Sequence, residues 1–226
     1  MPGFRERHPA VGWIAPFAAF MLWLAAAPML GLPQPWDSVL RVLVPGAVIV
    51  LFSGHLLAGL RVGHAGGSVA LGLAVFALWV APDLLVPGWR AHWLFQNAIT
   101  GSVTTTIDPA AYADPLVVAL RVARAAILVP ILEELFWRGW LPRWIVDTDW
   151  RRVPLGRYTA LAFVATALLF ASEHGPYWEV GLACGLLYNW WMWRTRSLGD
   201  LILTHAVTNA ALSVWVLVTG RYEYWM

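Results

Sequence analysis

The sequence predicts an all-α, polytopic transmembrane bundle of about seven to eight helices, and three observations carry that expectation. Of 226 residues, 60% are hydrophobic and only 12% are charged, far from the balance of a soluble globular domain. Several apolar stretches reach the ~20 residues that a helix rising ~1.5 Å per residue needs to cross ~30 Å of hydrocarbon. Arginines gather at alternate ends of those stretches, as they do when one face of a bundle is cytoplasmic.

Reading apolar runs between polar breaks places spans at residues 12 to 31, 39 to 60, 68 to 86, 116 to 146, 158 to 174, 178 to 194 and 198 to 218. Arg5 and Arg7 precede the first, Arg61 follows the second, Arg143, Arg151, Arg152 and Arg157 follow the fourth, and Arg194 and Arg196 follow the sixth. The other face carries Asp37, Asp83, Asp108, Asp114 and Glu179. A cytoplasmic N-terminus and an outer C-terminus follow, with Arg41, Arg90 and Arg121 as dissenting charges. The first span, which contains Ala25-Ala26-Ala27, has a cleaved signal peptide as its rival reading; its length and the spans behind it favour an uncleaved anchor.

Residues 87 to 114 form the longest connection, and its aromatic stretch from Trp89 to Phe95 suits an interfacial position. Trp137, Trp140, Trp144, Trp150, Trp190, Trp191 and Trp193 lie near the Arg-rich ends, where indoles anchor helices at headgroup level. Gly181 and Gly185 make a small-xxx-small packing face. Ser197 to Asp200 reads as a capping box that starts the last helix. The single Cys184 excludes an intrachain disulfide and cysteine-based zinc sites, and reads as helix packing. A net charge of +2 from scattered arginines excludes a nucleic-acid surface.

Against this background Glu133, Glu134, Arg138, His174, His205 and Asn209 stand out, because an ionised group at mid-bilayer costs ~2.5–3.5 kcal/mol even on the lenient insertion scale. Glu134 and Arg138 are four apart in acid-first order and can neutralise each other on one helix face. Glu133 projects ~100° away from Glu134, which leaves it free to face the bundle interior as a general base. A buried carboxylate held by neighbouring hydroxyls or water is the structural alternative.

Phe170 with His174, and His205 with Asn209, are also four apart. Counting residues from the Arg-rich ends brings Glu133, His174 and Asn209 to roughly 18–24 Å, one common layer. One carboxylate, two imidazoles and a carboxamide at one depth suit hydrolysis. Glu133 would deprotonate water, His174 would orient it or pass its proton to the leaving amine, and His205 with Asn209 would donate to the oxyanion. A two-His, one-carboxylate zinc site from Glu133, His174 and His205 is the competing arrangement, disfavoured because HExxH is absent. A chelator separates the two. A proton or small-molecule transporter could use the same residues, but no inverted repeat supports it.

Glu133-Glu134-xxx-Arg138, Phe170-xxx-His174 and His205-xxx-Asn209, in that order, resemble the three signature motifs of the CAAX-protease and bacteriocin-processing family, the type II CAAX prenyl endopeptidase-like proteins. The likeness covers about residues 115 to 218, dividing the chain into an N-terminal transmembrane region, 1–114, and a catalytic core, 115–226. It implies a glutamate-dependent, metal-independent intramembrane endopeptidase with no cofactor, with catalytic Glu133, His174, His205 and Asn209, supported by Glu134, Arg138 and Phe170. The stretch from Glu133 to Gly139, Leu187-Tyr188-Asn189 and the run from His205 to Asn209 are similar to the bacterial subgroup associated with exosortase protein-sorting systems. That implies a bacterial inner-membrane protein acting on a membrane-associated peptide or protein tail. A non-catalytic scaffold, immunity or regulatory protein is the family's other known outcome.

Overall fold

The computed structural model describes residues 4–105 and 108–225. The side chain of Arg5, counted above ahead of the first span, lies outside them. Among the described residues, seven helices follow a single turn at Phe4–Arg7: α1 Val11–Leu30, α2 Trp36–Leu57, α3 Ala65–Leu85, α4 Pro115–Val146, α5 Ala160–Ser172, α6 Trp178–Thr195 and α7 Leu198–Thr219. Among the described residues the only β-pairing is one isolated bridge, Asn97 to Gly101. α7 packs along α3 and α4, α5 pairs with α6, and α1 packs on α2 and α4.

Five of the helices, α1 to α4 and α7, are long and apolar enough to cross a membrane. α5 has 13 residues, which rise only ~20 Å against the ~30 Å of a bilayer core. The expected span 158–174 therefore stops short, and His174 sits in the turn between α5 and α6 rather than on a helix. Large apolar side chains are exposed, Met29 at 87% and Val218 at 79%, while Glu134, Asp200 and Thr204 are fully buried beside an apolar core. Such a distribution suits a lipid-facing exterior.

α4 departs from regular helix twice, in π turns at Arg124–Leu128 and Leu135–Trp140. Each is followed within two residues by a proline, Pro130 and Pro142. A proline lacks the amide hydrogen and crowds the carbonyl four residues back. The wider turn relieves that crowding, and π turns are frequent at functional sites. The start of α7 falls where the capping motif places it, with the Asp200 amide donating to Ser197 Oγ at 3.1 Å. The Asp200 carboxylate turns instead to the α2–α3 connection, accepting from the Gly63 and His64 amides at 3.3 and 2.7 Å.

The dissenting arginines are absorbed inside the protein. Arg41 pairs with Asp37 at 2.8 Å, and Arg121 stacks over Trp225. Arg90 donates to Asp83, Glu179 and the Pro176 carbonyl, at 3.1, 2.9 and 2.6 Å, and lies over the Tyr177 ring. Burial disfavours the Arg90 charge, yet the Glu179 and Asp83 carboxylates outweigh it and hold its pKa above the ordinary value. Together with Trp178 Nε1 donating to the Leu94 carbonyl at 3.0 Å, these bonds strap the long connection over the α5–α6 turn. Arg90→Gln is expected to release that strap. Limited proteolysis in detergent should then cut within residues 87–105 at least several-fold faster than in the parent protein.

The tryptophans divide. Trp144, Trp190 and Trp193 are 46, 41 and 46% exposed, as interfacial anchors are, whereas Trp137 and Trp150 are buried at 5 and 9%. Trp137 donates from its indole to Glu173 Oε2 at 3.1 Å, which corrects its expected role as an anchor.

Candidate active site

The two adjacent glutamates of α4 have separate surroundings. Glu134 Oε1 accepts from Arg138 Nη1 at 3.1 Å, as their spacing requires, and from His205 Nδ1 at 2.8 Å. Arg138 Nε donates to Asn189 Oδ1 at 3.0 Å, and its guanidinium stacks 4.3 Å over the Phe170 ring. Asn189 Nδ2 passes the network on to the Phe163 carbonyl and Thr166 Oγ1 at 2.8 and 2.9 Å. All four core members, Glu134, Arg138, His205 and Asn189, are buried. The low dielectric makes such a network rigid because every lost partner is costly.

Glu133 faces the other way. It lines a cavity of about 280 Å³ together with His174, His205, Asn209, Phe170, Glu173 and Tyr188. Its Oε2 is buried without a hydrogen-bond partner among the described residues. Glu134 and Arg138 do not line that cavity. The four residues expected to form a site are thus brought to one chamber by α4, the α5–α6 turn and α7, and Phe170 packs beside them.

His174 Nδ1 lies 2.7 Å from the Phe170 carbonyl. A carbonyl only accepts, so Nδ1 carries the hydrogen, and a neutral His174 presents the Nε2 lone pair. Its ring is seated against Gly181, where an added Cβ would stand 3.0 Å from the imidazole. The small-residue pattern of α6 therefore makes room for His174 as well as for α5, since a Cβ added at Gly185 would stand 3.2 Å from the Ala167 backbone.

His205 gives its Nδ1 hydrogen to Glu134, so its Nε2 donates to an oxyanion only as imidazolium. Asn209 Nδ2 donates one hydrogen to the Ala125 carbonyl at 2.9 Å. That carbonyl lies in the first π turn of α4. The Val129 amide turns back to Arg124, and Pro130, five residues beyond Ala125, has no amide hydrogen. Asn209 thus satisfies the acceptor that the proline strands, and its second amide hydrogen is left for a ligand.

Three neighbours carry no site role that spacing assigns. Glu173 was the residue before a predicted imidazole and lines the cavity. Tyr188 donates to Thr208 Oγ1 at 2.8 Å and packs on His205. Asn189 closes the Arg138 network. A signal existed for Asn189, a carboxamide within an apolar helix; its partner on another helix could not be read from spacing. Cys184, expected to be packing, also borders the cavity. Among the described residues, no three His, Cys, Asp or Glu side chains converge in a way that could hold a metal ion.

Residues 115–211 match the family model described as type II CAAX prenyl endopeptidase Rce1-like. No curated protein and no solved structure matches the chain. The match takes in α4, α5, α6 and most of α7, the helices that build the cavity's polar wall. Over residues 115–211 this membrane-embedded helical bundle is thus similar to the Rce1-like CAAX-protease family.

Proposed function

We propose that the protein is a glutamate-type intramembrane endopeptidase that hydrolyses a peptide bond in a membrane-associated peptide or protein tail, without a metal or other cofactor. The observation that carries this reading is Glu133, a buried carboxylate with an unpartnered oxygen on the wall of a cavity it shares with His174, His205 and Asn209. Glu133 takes a proton from water as its oxygen adds to the scissile carbonyl, while His174 Nε2 accepts the second hydrogen and fixes the water's direction. The free hydrogen of Asn209 and the imidazolium Nε2–H of His205 stabilise the tetrahedral oxyanion. Collapse breaks the C–N bond, and the leaving amine recovers its proton from Glu133.

The narrower reading places the protein in a bacterial inner membrane with a cytoplasmic N-terminus, beside an exosortase-type sorting system. The Arg distribution supports the orientation, and the likeness of the Glu133–Gly139, Leu187–Asn189 and His205–Asn209 stretches supports the association. Mass spectrometry of membranes from a deletion strain and a Glu133→Gln strain tests the function. The same uncut precursor is expected to accumulate in both and not in the parent. A Glu133→Gln strain indistinguishable from the parent would overturn the protease reading in favour of a scaffold or immunity role.

A further inference from the structure

Between the end of α5 and the long connection lies a groove of about 360 Å³, lined by Leu94, Ile99, Leu168, Ala171 and Leu182 among others. Apolar side chains stand uncovered around it. Ile99 is 96% exposed and Trp93 68%, and no Asp, Glu, Lys or Arg occurs from residue 91 to residue 100. The nearest charges are engaged elsewhere: Arg90 donates to Asp83 and Glu179, while Glu173 accepts from Trp137 and lines the active-site cavity.

The position of α5 gives this groove a depth. α5 starts at headgroup level on the Arg-rich side, where Tyr158 and Trp193, 48 and 46% exposed, stand with ring centroids 5.4 Å apart, as interfacial aromatics do. From there its 13 residues rise ~20 Å and stop ~10 Å short of the far boundary of a ~30 Å core. Leu161, Val164 and Leu168, at i, i+3 and i+7, make one exposed stripe along α5, and that stripe runs into the groove at Leu168. The connection meets α5 at its last turn, Asn97 and Thr100 sharing the groove with Ala171 and Ser172. It is held there closely: a Cβ added at Gly175 would stand 2.9 Å from the Thr100 carbonyl, and Trp178 Nε1 donates to the Leu94 carbonyl at 3.0 Å.

Lipid excludes irregular backbone because each unsatisfied amide or carbonyl is costly there, and this segment turns its polar groups inward. Asn97 Oδ1 accepts from the Ile99 and Thr100 amides at 2.8 and 3.0 Å, and Asn97 Nδ2 donates to the Trp93 carbonyl at 2.9 Å. The backbones of Asn97 and Gly101 exchange both their bonds, at 3.2 and 2.8 Å. Gln96 donates to the Arg90 carbonyl and accepts from the Val103 amide at 2.7 and 3.2 Å, and Thr100 Oγ1 donates to the Phe95 carbonyl at 2.9 Å. On α5, Ser172 Oγ turns back to the Leu169 carbonyl at 2.7 Å.

We propose that residues 91–100 form a membrane-inserted loop. Trp93, Leu94 and Ile99 enter the acyl region of the leaflet opposite the arginines, filling the layer that α5 leaves short, and lipid chains cover the groove. This is deeper than the headgroup position that the aromatic stretch alone suggests, and it does not depend on the role of Glu133.

Single-cysteine variants in phospholipid nanodiscs, where both faces are open to reagent, test the insertion. Ile99→Cys is compared with Leu161→Cys, on the lipid-facing stripe of α5, and with Arg152→Cys, whose native side chain is 82% exposed near the Arg-rich end. Ile99 is almost wholly exposed, so its replacement leaves the packing alone, and the parent protein, with Cys184 buried at 2%, sets the background. A charged methanethiosulfonate needs a thiolate in water, so Ile99→Cys is expected to react about tenfold or more slowly than Arg152→Cys, as Leu161→Cys does. A bimane label on Ile99→Cys should be quenched by lipids spin-labelled on the acyl chain to within about twofold of the label on Leu161→Cys. Reaction as fast as at Arg152→Cys would overturn the proposal, whatever the quenching. So would slow reaction without lipid quenching, which would mean that protein, a second copy of this chain or a partner, covers the loop.

Discussion

Glu133→Gln is expected to lower peptide hydrolysis by about 10²–10⁴-fold, the range that a positioned general base contributes, while the fold survives. The substitution keeps shape and removes a carboxylate whose buried Oε2 has no hydrogen-bond partner among the described residues, on a cavity wall. Among the described residues no ion pair depends on Glu133, so thermal stability should stay near that of the parent. Cys184, the single cysteine, is buried at 2% exposure, so maleimide labelling during a temperature ramp reports unfolding directly. A Glu133→Gln protein that hydrolyses at the parental rate would exclude Glu133 as the base. Glu134→Gln is the informative comparison. It leaves the cavity lining intact, so its loss of activity should be smaller and should come with lowered stability, because Arg138 and His205 both bond that carboxylate.

Arg138→Met is expected to destabilise the protein by about 3–5 kcal/mol, the usual cost of breaking a buried pair from one side. Glu134, with no exposed surface, would keep its charge without the guanidinium, Asn189 Oδ1 would lose its donor, and the stacking on Phe170 would go. Replacing both partners by apolar residues of similar volume, as in Arg138→Met with Glu134→Leu, should recover much of that stability, because the desolvation of both charges is then avoided. The double variant should still be impaired in hydrolysis, since His205 loses the acceptor that fixes its Nδ1 hydrogen. Stability followed by Cys184 labelling and peptide turnover, measured on both variants, check the two halves. A single Arg138→Met variant as stable as the parent would show that the pair contributes nothing measurable.

Helix positions were legible in the sequence because the bilayer imposes one strong rule: apolar runs of fixed length, with polar breaks between them. The seven expected spans coincide with α1 to α7 to within three residues, and only the length of α5, 13 residues, falls short of a bilayer crossing. The distinction between Glu133 and Glu134 was also local, since Arg138 at i+4 reaches only one of them. His174 was harder to place, because nothing in residues 158–174 marks a helix that stops early inside the bundle; Gly175, with φ +48°, turns the chain toward α6 there.

Partners carried on different helices were decided only by the tertiary structure. Spacing put His205 and Asn209 on one face as joint oxyanion donors, yet packing of α7 against α4 gives His205 Nδ1 to Glu134 and one Asn209 hydrogen to Ala125. Trp137 read as an interfacial anchor until the α5–α6 turn brought Glu173 to its indole, and Arg124 is set beside the cavity on the α4 turn that precedes Pro130. The sequence by itself determined a membrane bundle with an odd, ordered set of polar residues, because desolvation cost makes such residues conspicuous one at a time. Which of those polar atoms is already satisfied, and which is left to meet a substrate, depends on bonds between helices, and only the packed structure holds that information.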